Sequence, residues 1–234
     1  MSEEFKRTEC LLGENALNIL KNSKVLLFGI GGVGGYVAES LVRSGTGTIA
    51  IVDNDVISKS NINRQIIALN STLGRKKTLA MKERLNDINP DCNIICYDLF
   101  FTPETEEINF KEFDYVIDAI DTVTSKIEII RRCKEENIPV ISSMGTGNKL
   151  IPHLLEITDI SKTTICPLAR VMRKELSKRG IRGVKVLYSK EQPYAVVADE
   201  QNGRHSPGSA VFVPATAGIM IASYVIQDLI KGAL

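Results

Sequence analysis

Val25-Leu26-Leu27-Phe28-Gly29-Ile30-Gly31-Gly32-Val33-Gly34 is an apolar run that breaks into a glycine-rich turn. Four apolar residues in a row, bounded by a turn, fit a strand buried on both faces. The residues after the turn repeat at helical spacing, with Val33, Val37, Leu41 and Val42 on one face, and Gly45 and Gly47 close the segment. A strand over 24–29, a turn and a helix over 32–44 follow. At the start of such a helix the backbone N–H groups have no intrahelical acceptor, and the helix dipole favours an anion there. The turn is therefore a candidate phosphate cradle.

Working outward, the alternation continues. A short helix over 14–22 precedes the first strand, and a second strand over 48–53 ends at Asp53. Residues 56–74 are polar and irregular, with a single helical turn expected at Gln65–Leu69. A helix over 76–88 stops before Asn89-Pro90, as a proline boundary requires. Strand 93–98, a short acidic helix near 104–108, strand 114–118, helix 122–136 and strand 139–143 complete the repeat. Beyond Gly145 the pattern changes to a strand over 153–158, a basic helix over 167–178 and a strand over 184–188. Residues 189–209 read as loop. The fold class expected is α/β, a Rossmann-like doubly wound, mostly parallel sheet with a C-terminal strand-helix extension. We expect a single domain over 1–234, with a nucleotide-binding core at 24–145 and an extension at 146–234 for substrate binding and dimer contacts.

The bulk composition limits what the chain can be. The 234 residues are 44% hydrophobic, enough for a sizeable core and against global disorder. A formal net charge of +1 gives no global case for nucleic acid, so any such case must be local, and no DNA partner is expected. Five cysteines are scattered without a Cys-x-x-Cys pair, and two histidines are too few to make a zinc site attractive. His153 and His205 have no partners recognisable in sequence. Scattered thiols, with no secretory pattern at the N-terminus, suit a cytoplasmic protein. The apolar stretch 210–226 is interrupted by Pro214, Thr216, Gly218 and Ser223, so we expect a buried helix at a subunit contact and no membrane span.

The glycine turn with Asp53 does not by itself choose a nucleotide. Asp53 sits where a carboxylate would hold ribose hydroxyls, which serves NAD and ATP alike. Three further residues decide between them. Arg64, in Ser60-Asn61-Ile62-Asn63-Arg64-Gln65, lies in a polar loop beyond the end of a strand, and Lys77 opens the next helix. Asp121 follows strand 114–118 and is alternatively an N-cap for helix 122–136. Two cations and a carboxylate on one rim suit a triphosphate with a metal ion, whereas a hydride-carrying dinucleotide needs no such set.

These motifs resemble the adenylating domain of the ubiquitin-activating-enzyme superfamily, the group that includes the ThiF and MoeB adenylyltransferases. Arg7, six residues before Gly13, matches that group's N-terminal Arg-x-x-x-x-x-Gly element. Within the group the chain is most similar to the tRNA threonylcarbamoyladenosine dehydratases, through Ser60–Ile66, Ile88-Asn89-Pro90, Tyr115–Asp121, Pro167-Leu168-Ala169 and Leu187–Glu191. The resemblance implies an ATP- and Mg2+-dependent enzyme that adenylates the carboxylate of threonylcarbamoyladenosine in tRNA and closes it into a ring. It implies that Gly29, Gly31, Gly32 and Gly34 cradle phosphate and that Asp53 holds ribose. Asn61 and Gln65 would position the nucleotide, Arg64 and Lys77 would offset phosphate charge, and Asp121 would ligate the metal. It implies a homodimer in which Arg7 reaches the partner's nucleotide, and it leaves room for a sulfur-transfer or redox partner. The alternative is activation of the C-terminal glycine of a small sulfur-carrier protein.

Residues 162–190 carry nine Lys and Arg against the single acid Glu175. Arg170, Lys174 and Lys178 are spaced by four and would form a cationic ridge on one helical face, with Arg173 beside it. Such an excess in a nearly neutral chain points to a polyanion such as tRNA, with a solvated face as the alternative. Cys166, before Pro167 at a helix start, is either an activated thiol or a small buried hydrophobe; the ring closure needs no enzyme thiol, which favours the second.

Overall fold

The computed structural model describes residues 3–194 and 207–233. Its centre is a seven-stranded sheet in the order β3-β2-β1-β4-β5-β7-β6. The strands are β1 (Lys24–Phe28), β2 (Thr48–Val52), β3 (Asn93–Tyr97), β4 (Tyr115–Asp118), β5 (Val140–Ser143), β6 (Leu155–Asp159) and β7 (Lys185–Ser189). All pairings are parallel except that of the edge strand β6 with β7. The helices are α1 (Lys6–Leu12), α2 (Glu14–Asn22), α3 (Gly34–Arg43), α4 (Lys77–Ile88), α5 (Val123–Glu135), α6 (Pro167–Lys178) and α7 (Phe212–Leu229). The doubly wound, mostly parallel sheet with a C-terminal strand-helix extension is thus the fold observed.

Two-sided burial of β1 explains the three layers. Val25 and Leu27 point into a core shared with α3, α4 and α7, while Leu26 and Phe28 point into a second core built on α5 and α6. Phe28 there meets Phe101 edge-on at 4.8 Å and stacks on Phe110 at 5.6 Å. Aromatic pairs at these separations add to the burial itself. Strand register then sets the functional rim. Phe28 lies level with Val52 on one side and Asp118 on the other. Gly29, Asp53 and Ala119 therefore leave the sheet at the same height, at the point where the strand order reverses between β1 and β4. Crevices of open α/β sheets form at such a reversal.

Two short expectations fail for the same reason. No helix forms near 104–108; a turn at Pro103–Glu104 and a 3-10 turn at Phe110–Glu112 stand there instead. Thr105 Oγ1 accepts from the amide of Thr102, and Ile108 and Phe110 are pulled into the second core. Nor is there a helical turn at Gln65–Leu69; 3-10 turns form at Lys59–Asn61 and Asn70–Thr72. Asn61 Oδ1 accepts from Ser58 N, and Thr72 Oγ1 both accepts from Leu69 N and donates to Ile67 O. Side chains that satisfy backbone groups in this way compete with a helix. In the loop expected over 189–209, Ser189 still belongs to β7, residues 190–194 and 207–209 are irregular, and 195–206, with His205, lie outside the described residues.

Helix α7 is long and apolar enough to cross a membrane by length and composition alone. Val213, Ala217, Ile221, Ala222 and Val225 are nevertheless buried in the same core as Val33, Val37 and Leu41 of the α3 side. Its burial comes from its own chain, so the subunit contact expected for this stretch is not what hides that face. Ile219 and Phe212 remain exposed.

Candidate nucleotide site

A cleft of about 470 Å³ opens along the carboxyl ends of β1, β2, β4 and β5. Its floor is the glycine turn. Gly29 has φ +88°, and a Cβ there would meet Ala119 O at 2.8 Å, so the turn requires glycine twice over. Gly31 and Gly32 line the cleft. The amides of Gly31, Gly32 and Val33 donate to no acceptor among the described residues, which is what an anion-binding helix start offers. Gly34 stands behind them. A Cβ on it would fall 1.8 Å from Gly29 O, so its role is the tight packing of helix against turn.

Asp53 is fixed by the same turn. Its Oδ2 accepts from Ile30 N at 2.7 Å and its Oδ1 from Asp55 N at 2.9 Å. Burial pushes its carboxyl above the ordinary carboxylate range, opposed by the neighbouring Lys77 ammonium and the two backbone donors. Lys77 is buried at the first turn of α4, with Nζ 2.7 Å from Asp55 Oδ2 and 3.9 Å from Asp53 Oδ1.

Arg64 faces them across the glycine turn. Its Nη1 donates to Ser60 O and Asn63 Oδ1, both at 3.0 Å, while Nε and Nη2 have no partner among the described residues. Its aliphatic stem lies against Gly32, where an added Cβ would meet Arg64 Cγ at 3.4 Å. The half-free guanidinium fork is suited to a phosphate. Beside it Gln65 is 6% exposed, and its Oε1 is buried with no hydrogen-bond partner among the described residues. A buried orphan acceptor costs free energy unless a ligand or water satisfies it. Asn61 also lines the cleft, with its Oδ1 committed to Ser58 N.

Asp121 reaches the opposite lip. The N-cap position of α5 belongs to Thr122, so the carboxylate is released from the capping role that was its alternative reading. The loop carrying it is pinned from below. Lys126, fully buried, donates to Asp118 Oδ1 at 3.0 Å, Ile120 O at 3.0 Å and Ser143 O at 2.8 Å, which occupies all three of its protons. Ser142 Oγ donates to Asp118 Oδ2 at 2.5 Å. A buried charge pair survives when every remaining donor and acceptor is satisfied, as here. No cluster of three or more His, Cys, Asp or Glu that could form a complete metal cage exists among the described residues. A single carboxylate beside a phosphate cradle still fits Mg2+, which is typically held by one or two carboxylates plus phosphate oxygens and waters.

Several features escaped the sequence. Asp55, two residues after Asp53, is the direct partner of Lys77, and only the Asp-x-Asp spacing hinted at it. Lys126 gave no signal, because a lysine in an amphipathic helix reads as exposed. The far wall is formed by Ser143–Gly147 with Leu168, the second residue of α6, and by Leu99–Phe101, whose Phe100 is exposed at the mouth. Arg7, on α1, is exposed and does not line the cleft of its own chain.

Along α6, Arg170, Lys174 and Lys178 are exposed on one side. Lys178 is paired with Glu175 at 2.7 Å, and Arg179 shares that carboxylate at 2.8 Å. Arg173 is turned inward, its Nη1 donating to the Thr163 carbonyl and hydroxyl at 2.7 Å each. That geometry makes Arg173 a brace of the preceding loop. Cys166 is buried in the second core with Ala169 and Met172, as a small hydrophobe would be.

The ThiF family model matches residues 5–232. The chain is 43% identical to the tRNA threonylcarbamoyladenosine dehydratase of Bacillus subtilis, over 99% of this chain and 96% of the relative. Crystal structures of the Escherichia coli tRNA N6-threonylcarbamoyladenosine dehydratase superpose with a TM-score of 0.89 in its AMP complex and 0.88 in its ATP complex. They are 34% and 33% identical to this chain, and each covers 99% of it and 95% of the solved chain. The adenylyltransferase and sulfurtransferase UBA4 of Vanderwaltozyma polyspora is 35% identical, but over 56% of this chain and 30% of its own. On these matches, which run through every element of the sheet and its covering helices, the chain belongs to the ThiF family and, within it, to the tRNA threonylcarbamoyladenosine dehydratases.

Proposed function

We propose that the protein uses ATP to dehydrate threonylcarbamoyladenosine in tRNA to its cyclic form through an acyl-adenylate. The observation that carries this reading is the convergence of unbonded amides of the glycine turn, the free edge of Arg64 and the Asp121 carboxylate on one cleft. The substrate carboxylate attacks the α-phosphorus of ATP, and pyrophosphate leaves. A nucleophile of the same modification then attacks the activated carbonyl, loses its proton, and expels AMP with the former carboxylate oxygen. Water is lost overall. Ring closure is intramolecular, so proximity supplies much of the rate and no enzyme nucleophile is needed.

The residues of the cleft act electrostatically. Amides of Gly31, Gly32 and Val33, the Arg64 guanidinium and the Lys77 ammonium stabilise charge developing on the phosphates, where fixed donors in a water-poor site are most effective. Asp53 orients the ribose, and Gln65 directs its amide at the nucleotide. Mg2+, held at Asp121, would neutralise phosphate oxygens. In the same reading Arg7 reaches the cleft of a second copy, residues 146–234 supply substrate and dimer contacts, and Arg170 and Lys174 face the tRNA backbone. Activation of a sulfur-carrier glycine would use the same ATP residues, but the relatives of that kind share only part of their length with this chain.

The deciding experiment incubates threonylcarbamoyladenosine-containing tRNA with protein, ATP and Mg2+, then measures the nucleosides by mass spectrometry. A product lighter by one water, formed only with ATP, is expected. Unchanged nucleoside, together with pyrophosphate release on adding a carrier protein with a C-terminal glycine, overturns the reading.

A further inference from the structure

The Lys77 ammonium is already engaged before any nucleotide arrives. It sits between two carboxylates that differ in every respect that matters. The lysine side chain is 6% exposed and that of Asp53 is 9%, whereas that of Asp55 is 60% exposed. Asp53 is committed to the backbone through Ile30 N and Asp55 N, and stands 3.9 Å from Nζ. The Asp55 carboxylate has no hydrogen bond other than that to Lys77 among the described residues. Its backbone is nevertheless fixed, since Lys77 N donates to Asp55 O at 3.0 Å and Val56 forms a bridge with Lys76. The result is an exposed carboxylate with a single bond among the described residues, on a fixed backbone and in contact with the buried cation of the cleft.

A buried ammonium needs a counter-charge, and a phosphate entering the cleft competes for it with the same sign. Exposure decides which carboxylate can yield. Asp55 can be rehydrated when it lets go, at little cost; Asp53 cannot, because it is enclosed and bonded to the turn. We infer that Asp55 is a positioning residue that acts through Lys77: it holds the ammonium aimed into the cleft, surrenders it to the phosphates of ATP, and recaptures it as pyrophosphate departs. This rests on Lys77 being a phosphate ligand, as in the proposed function. The exchange loosens ATP binding and speeds product release.

The test combines ATP titration with Mg2+, pyrophosphate release on modified tRNA, and Tm with and without ATP. The proteins are the wild type, Asp55→Asn, Asp55→Glu, Lys77→Met and the Asp55→Asn/Lys77→Met double variant. Asp55→Asn is expected to bind ATP about three- to tenfold more tightly, the range for losing one partly exposed charged competitor. Its kcat should fall, and its nucleotide-free Tm should drop and recover on adding ATP. Asp55→Glu should resemble the wild type, and in the Lys77→Met background most of the tightening should vanish. Unchanged or weaker ATP binding by Asp55→Asn, with Lys77→Met impaired, overturns the inference and leaves the phosphate role of Lys77 standing. Wild-type ATP affinity in Lys77→Met overturns that role itself. Should Asp55→Asn not fold without nucleotide, ATP must restore the fold, and failure to do so counts against the exchange.

Discussion

At the scale of single residues, neighbouring glycines of one motif do different work. Gly34 cannot accept a Cβ because Gly29 O would lie 1.8 Å away, whereas a Cβ on Gly31 would meet nothing within 4 Å among the described residues. Gly31 is therefore not required by packing, and the space beside it is the space a phosphate would occupy. Gly31→Ala should leave stability within about 0.5 kcal/mol of wild type, as for a surface substitution without steric conflict. It should weaken ATP binding by tenfold or more if a phosphate approaches that backbone, about 1.4 kcal/mol. Paired thermal melts and ATP titrations measure both; a large loss of Tm would show that the turn needs this glycine for itself. Asp121 offers a matching separation. It neither caps α5 nor pairs with a cation among the described residues. Asp121→Asn should thus keep the fold and remove adenylation by taking a carboxylate from Mg2+. Near-normal pyrophosphate release from that variant at saturating Mg2+ would falsify the metal role.

At the scale of an element, α6 shows how a charge pattern legible in sequence is redistributed by contacts. Spacing by four put Arg170, Lys174 and Lys178 on one face, which they share in the structure. Glu175 nevertheless draws on Lys178, and its own carboxyl is held far below the usual range, at about 2, by its hydrogen bonds to Lys178 and Arg179. Arg173 is spent on Thr163. Of the four basic residues of α6, only Arg170 and Lys174 are exposed without a partner among the described residues. Replacing Arg170, Lys174 and Lys178 with Ala should flatten the log–log salt dependence of tRNA binding by about two units, where three free cations would give nearly three. Arg173→Ala should lower Tm with little change in that slope. An unchanged slope for the triple variant would make this face merely solvated.

At the scale of the whole molecule, the cleft as one chain builds it contains Arg64 and Lys77 but not Arg7, which lies exposed on α1 outside the lining. If a second copy supplies Arg7, then Arg7→Ala and Asp121→Asn chains damage different halves of one composite site. Each should be inactive alone, and an equal mixture after subunit exchange should recover roughly a quarter of wild-type turnover, since half the dimers are mixed and each holds one intact site. No recovery, with mixed dimers demonstrated by native mass spectrometry, would place Arg7 outside the site. The sequence by itself determined the alternation of strands and helices along the nucleotide-binding core, the glycine turn and the rim residues Asp53, Arg64, Lys77 and Asp121. These are local facts, carried by apolar periodicity, by turn chemistry and by position relative to a strand end. Only the tertiary structure decided that Lys77 meets Asp55, that Lys126 braces the loop beneath Asp121, that Gln65 buries an unpaired oxygen and that residues 104–108 are not helical. Those outcomes depend on which side chains are brought together across long stretches of chain, where burial and hydrogen-bond satisfaction outweigh any local preference.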